Sequence, residues 1–136
     1  MRVVLPVLLG VQLLAQHAAL AAEGTFLVEL NTVESVENRC RLNFVIENKS
    51  DVAVDSMKLD LVVFGSNGGI LRRLLTEMGP VRPLKTIVRA FVIDAECDRI
   101  GSILVNEVTA CAPGNPNGCL DELALSSRLK ELRFHK

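Results

Sequence analysis

Residues 40–48 read CRLNFVIEN and residues 56–65 read SMKLDLVVFG. In the first stretch Cys40, Leu42, Phe44 and Ile46 alternate with Arg41, Asn43 and Glu47, and only Val45 breaks the polar set. In the second, Met57, Leu59, Leu61 and Val63 alternate with Lys58 and Asp60. A period of two puts one set of side chains on a buried face and the other in water, the pattern of a half-buried β-strand. Between the two runs lies NKSD, whose Asn48, Ser50 and Asp51 have turn chemistry, so the runs are expected to be neighbouring antiparallel strands.

The same grammar extends outward from this pair. TFLVEL at 25–30 precedes it, and GSNGG at 65–69 supplies a turn, because Gly and Asn reach positive φ cheaply. ILRRLLTE follows, then MGPVRP at 78–83, where Gly79, Pro80 and Pro83 rule out a central strand and predict a loop. LKTIVRAFVID and IGSILVNEVTA are further apolar runs, with Lys85 and Arg89 sharing a face of the former. Six short strands with turn residues between them predict an all-β, immunoglobulin-like antiparallel β-sandwich of about seven strands. The tail CLDELALSSRLKELRFHK is ambiguous. Leu125, Leu129 and Leu132 have helical spacing, while Leu123 and Leu125 alternate as in a strand, so a strand followed by a short helical turn or a frayed end is expected.

The N-terminus has the order of a secretory signal peptide. Arg2 is followed by an apolar run from Val3 to Leu14 and by small residues, with cleavage expected after Ala21 or Ala22. The run is shorter than the roughly 20 residues that span a bilayer, and Gln12, Gln16 and His17 interrupt it, which disfavours a retained anchor. The expected organisation is a leader over residues 1–22 and one domain over 23–136, without stable membrane insertion after cleavage. Removing Arg2 from the 15 Lys plus Arg leaves 14 against 16 Asp plus Glu, a balance that disfavours binding nucleic acid or anionic lipid through bulk charge.

All four cysteines, Cys40, Cys97, Cys111 and Cys119, lie beyond the leader. An even count in a small exported domain reads as disulfides, since such compartments are oxidising. Spacing favours Cys111 with Cys119, which leaves Cys40 with Cys97, although sequence alone does not choose among the three pairings four cysteines allow. A metal centre is not expected: C-x-x-C is absent, and His135 is the one histidine beyond the leader. The segment CAPGNPNGC at 111–119 contains Pro113 and Pro116, which lack amide donors, and Asn117-Gly118, which turn readily. It reads as a stapled loop, with recognition at an exposed tip through Asn115 and Asn117 as the functional alternative.

Other chemistry is poorly supported. Redox catalysis needs a depressed thiol pKa, and nothing around Cys111 or Cys119 supplies one. A hydrolytic triad needs a histidine fixed by packing, and His135 lies in a segment expected to fray. Asp94, Glu96 and Asp98 lack the Gly and trailing Glu of a calcium loop and read as a solvated acidic turn. Arg72, Arg73, Lys85 and Arg89 read as a basic stripe or as ordinary outward strand positions. Asn48-Lys49-Ser50 fits a glycosylation sequon by pattern, but its turn chemistry already accounts for it.

Residues of about 40–94, from LNFVIENKSDVAVDSMKLDLVVFGSNGGIL to MGPVRPLKTIVRAFVI, resemble the small exported immunoglobulin-like modules of the FxLYD type. The shared pattern is a strand ending in Asn, a polar turn, a longer strand ending in an aromatic, a Gly-rich turn, and a Pro/Gly loop before a strand of the second sheet. This chain departs from it by Gly65-Ser66-Asn67, where an Asp-containing turn is usual, and by its four cysteines. The resemblance implies an exported binding or structural module with no catalytic residues and no cofactor. The expected function is therefore a non-enzymatic cell-envelope protein, periplasmic or secreted, whose partner is another envelope protein, with a homodimer as a further possibility. The partner would meet a sheet edge, a loop, or an apolar patch at Val62 and Phe64, which share the outer parity of their strand. The alternative function is a carrier of a small apolar ligand held between the sheets.

Overall fold

The computed structural model describes residues 24–136; the expected leader falls on residues outside those described. The elements are β1 (Phe26–Val36), β2 (Arg39–Asn48), β3 (Ser56–Gly65), β4 (Ile70–Glu77), β5 (Thr86–Ile93), a 3-10 turn at Cys97–Arg99, β6 (Ile100–Ala112), α1 (Pro116–Glu122), β7 (Leu123–Ser127) and β8 (Arg133–His135). They form two four-stranded sheets, β5-β2-β1-β7 and β4-β3-β6-β8. β1 pairs with β2 and β3 with β4 as hairpins, while β5 returns to β2 and β6 to β3. That interleaving is the Greek-key logic of immunoglobulin-type sandwiches.

The alternating residues of the two decisive stretches build the core. Leu42, Phe44 and Ile46 from β2 and Leu59, Leu61 and Val63 from β3 have no exposed surface. Phe44 stands at the centre, with its ring centroid 6.0 Å from Phe91 of β5 and 5.4 Å from Phe134 of β8. The Pro/Gly loop adds to the core as well: Met78 is fully buried, and Val81 bridges back to Val54.

Three expectations need correction. First, β2 and β3 are not paired; they face each other from opposite sheets. Both strands bury one complete face, so stacking satisfies them as well as pairing would, and the connecting segment is built to cross rather than to reverse. Buried Asn48 holds it, its Nδ2 donating to the carbonyls of Val52 (2.8 Å), Val81 (3.2 Å) and Arg82 (3.2 Å) and its Oδ1 accepting from the amide of Ser50 (3.0 Å). Turn chemistry at the sequon is thus what Asn48 does.

Second, the described residues form eight strands, in keeping with about seven, but the sheets are mixed where purely antiparallel ones were expected: β1 pairs with β7 and β6 with β8 in parallel. Each of these partners arrives after the chain has crossed between sheets, and such crossings do not impose the antiparallel sense that a hairpin does.

Third, the helix lies upstream of the tail. Asn115 caps it, accepting from the Gly118 amide at 2.9 Å, and Pro116 occupies the first turn, where a missing amide donor costs nothing. The final residues instead form β7, a turn and β8. His135 is therefore strand-paired with Leu104, and neighbouring Phe134 is anchored in the core.

Both disulfides have the pairing that spacing favoured, and no cysteine is free among the described residues. Cys40–Cys97 joins the start of β2 to the 3-10 turn through which the chain changes sheets after β5, with fully buried Cys40 in the core. Cys111–Cys119 ties the end of β6 to α1. Two bridges are the habit of an oxidising, non-cytoplasmic compartment. Among the described residues no helix is long and apolar enough to cross a membrane.

Candidate interaction surface

β4 and β5 are edge strands of different sheets, and two arginines show that they lie on the same flank. Arg89 of β5 sits opposite Phe44, on the inward parity, and its guanidinium donates to the Gly79 carbonyl just beyond β4 at 3.0 Å. Arg72 of β4 sits opposite Val63, also on the inward parity, and reaches Asp94 just beyond β5 at 3.4 Å. The two cations thus span the slot between the sheets from opposite sides. Neither is an ordinary outward position. A charged residue in the inward row of an edge strand is one of the devices by which sandwiches close an open side.

The outer row of β5 is largely apolar, and that of β4 carries Ile70 and Leu75 beside Arg73. Val88 and Val92 on β5 are 64% and 43% exposed, and Ile70 and Leu75 on β4 are 68% and 62% exposed. Leu84, at the entry to β5, is 75% exposed. These are five of the six large hydrophobic side chains most open to solvent among the described residues, the sixth being Val52. Val88 and Val92 share the outer face of the β5-β2-β1-β7 sheet and Leu75 the outer face of the other sheet opposite Asp60, so these side chains border two unpaired strand edges from opposite faces.

The outer face of the β4-β3-β6-β8 sheet is differently made. Asp60, on β3, is nearly buried there, and Arg73 from β4 donates to both its carboxylate oxygens at 2.9 and 2.6 Å. Asn106 donates to the same carboxylate at 2.9 Å. It can do so because β6 bulges at that point: Glu107 is opposite Asp60 and Val105 opposite Leu61, which leaves Asn106 unpaired and re-aimed. The hydrogen bonds from Arg73, aided by those of Asn106 and by the guanidinium charge, hold the Asp60 carboxyl below its ordinary range against the opposing effect of burial.

Val62, expected to contribute to an apolar patch, is only 7% exposed; it lies between Arg73 on β4 and Leu104 on β6. Phe64 is half-buried and lines a shallow groove of about 530 Å³ with Leu104, Arg133 and His135. The His135 Nε2 is buried in that region without a hydrogen-bond partner. Asn115 and Asn117 lie at the opposite end of the sheet, beside the Ala112 end of β6, so the four candidate residues do not form one site. Asn115 is occupied as the helix cap, and Asn117 is exposed in the first turn.

No family model matches this chain, and no curated protein matches its sequence. Its architecture, however, has a solved counterpart. The fold is similar to that of IrmA from Escherichia coli. The two superpose with a TM-score of 0.59 at 11% identity, over 77% of this chain and 92% of IrmA. That likeness establishes a small β-sandwich module, and the open flank of this chain is read from its own residues.

The β4/β5 flank was missed by the sequence reading. A signal was present in TIVRAFVI, where apolar residues occupy both parities and Arg89 alone interrupts the inward row, as happens in an edge strand.

Proposed function

We propose that this protein is a non-enzymatic protein-interaction module of the cell envelope, exported to the periplasm, and that it meets its partner along the β4/β5 flank. The observation that carries this reading is that the edges of β4 and β5 are unpaired and bordered by exposed large hydrophobic side chains, Ile70 and Leu75 on β4 and Leu84, Val88 and Val92 at β5. An open edge offers main-chain donors and acceptors to an extended segment, and the alternating outward side chains give such a segment something to recognise. The resemblance to FxLYD-type modules and the two disulfides support the exported, binding character of the chain. The carrier reading is less favoured, because Phe44, Leu42, Leu59 and Leu61 fill the space between the sheets and a ligand there would have to displace them.

Site-specific photo-cross-linking in the cells that make the protein tests this. A photoreactive residue at Val88, Val92 or Ile70 should give discrete adducts, while one at Ser126, exposed on β7 at the far edge of the same sheet, or at Asn117, exposed in α1, should not. Adducts at the control positions and none on the flank would overturn the proposal.

A further inference from the structure

We infer that a groove on the outer face of the β4-β3-β6-β8 sheet binds the carboxyl terminus of a partner polypeptide whose last side chain is apolar. The site is separate from the β4/β5 flank and does not rest on that reading.

The strand registers build the groove. Phe64 of β3 is opposite Ser102 of β6, and Ser102 is opposite Arg133 of β8, so the three stand in one row across the sheet. Neighbouring strands lie about 4.8 Å apart, which sets the two long side chains about 10 Å apart with a serine between them. The next row brings Leu104 beside His135 and forms one side. On the other side is the turn after β3, where Gly65 and Gly68 carry no side chain. The resulting space is about 530 Å³.

Its chemistry is divided. Phe64 and Leu104 are half-buried although they face outward, and they supply an apolar surface. Among the described residues the Ser102 hydroxyl, the Arg133 guanidinium and the His135 imidazole have no hydrogen-bond partner, and the His135 Nε2 is buried in that state. A buried nitrogen left unpaired is a standing cost that an arriving polar group removes. Among the described residues no carboxylate lines the groove, and Arg133 is its one permanent cation. The occupant is therefore an anion with an apolar body.

Charge and backbone choose a carboxyl terminus among such anions. One guanidinium matches the single charge of a carboxylate in a planar fork, whereas a phosphate monoester brings nearly two charges. Phosphate sites also draw on free backbone amides, and here those of Gly65, Ser66 and Gly68 are spent on the carbonyls of Gly69, Arg99 and Gly65. An acidic residue within an extended segment has its neighbours' side chains on the opposite face. A terminal residue instead carries its carboxylate and its side chain on one Cα, so Arg133 and Phe64 can be met together, and the shallow groove leaves the rest of the chain free to depart.

The chain contains no Trp and no Tyr, so the indole of a probe peptide is read without background. Acetyl-Gly-Gly-Trp with a free carboxyl terminus, titrated with the purified, oxidised protein, should shift its emission to shorter wavelength. It should bind at least about tenfold more tightly than the same peptide as its amide. Arg133→Gln should bring the acid down to the affinity of the amide. Ser102→Leu fills the row between Phe64 and Arg133 and should abolish binding of both. Arg39→Gln, which removes an exposed arginine of β2 in the other sheet, should change neither, and nor should Val88→Lys on the flank. Acid and amide that bind alike, a preference for the acid that survives Arg133→Gln or is lost equally in Arg39→Gln, binding that survives Ser102→Leu, or an emission unchanged at every protein concentration would overturn the site.

Discussion

Arg73 and Asp60 sit on adjacent strands, two cross-strand steps out of line, and are joined by a two-pronged hydrogen bond of 2.9 and 2.6 Å on the outer face of a sheet. With Asn106 as third donor the nearly buried carboxyl is held below its ordinary range. Glu77 is held below its ordinary range too. Burial alone would raise it, but the amides of Met57 and Gly79 and the hydroxyl of Ser56 donate to it, and Lys58 lies nearby.

These two carboxyls predict acid sensitivity. A carboxyl depressed in the folded state binds its proton more readily in the unfolded chain, so its stabilising contribution is whole above the ordinary values of 3.8 for Asp60 and 4.5 for Glu77 and is lost as pH falls through the depressed ones. Urea midpoints should therefore drop below that range. Asp60→Asn should be less stable than wild type at neutral pH, and the gap should narrow as pH falls below the ordinary value of 3.8. A gap that is constant with pH would show that the carboxylate charge contributes nothing.

The two disulfides should differ in weight. Cys40–Cys97 closes a separation of 57 residues and Cys111–Cys119 one of 8. Chain-entropy reasoning gives about 4 kcal/mol for the first and about 2.5 kcal/mol for the second. Paired Cys→Ala substitutions, compared by chemical denaturation, should rank in that order, with a further loss at Cys40 because its sulfur is packed in the core.

Asn48 should tolerate neither Ala nor Asp. Alanine removes three donated hydrogen bonds, taking from the Arg82 carbonyl its side-chain donor while those of Val81 and Val52 keep the Val54 amide and the Ser50 hydroxyl, and aspartate would turn a negative oxygen toward all three. A loss of about 3 kcal/mol is expected for Asn48→Ala, measured by denaturant unfolding.

Asn115 and Asn117 separate by role. Asn115→Ala removes the cap of α1 and should cost about 1 kcal/mol, while Asn117→Ala, exposed and uncapping, should leave the melting temperature unchanged. Equal effects would argue that the cap is not what Asn115 supplies.

How much of this was legible in the sequence depended on distance along the chain. The period of two in CRLNFVIEN and SMKLDLVVFG identified strands and inward residues correctly, because parity is a local property. Whether those strands pair or stack is not local. It is decided by Asn48 gathering carbonyls from Val81 and Arg82, more than thirty residues away, and no pattern in NKSD announces those partners. The outer-face position of Val62 was likewise readable, but its burial depends on Arg73 and Leu104 from two other strands. The helix at Pro116 was written in plain capping chemistry, Asn115 followed by proline, and was hidden by the density of turn formers around it. In the tail, leucines at helical spacing competed with a strand reading, and the outcome was set by the open edges of β1 and β6 waiting for β7 and β8.

Those last two strands have a consequence for valence. β7 offers five residues and β8 three, short margins that give an approaching chain little to zip onto, whereas β4 and β5 opposite them run to eight each. A sandwich with two usable margins on opposite sides could grow head to tail into a filament. One blunted on one side can join only face to face with its own kind, and such growth ends after a single step.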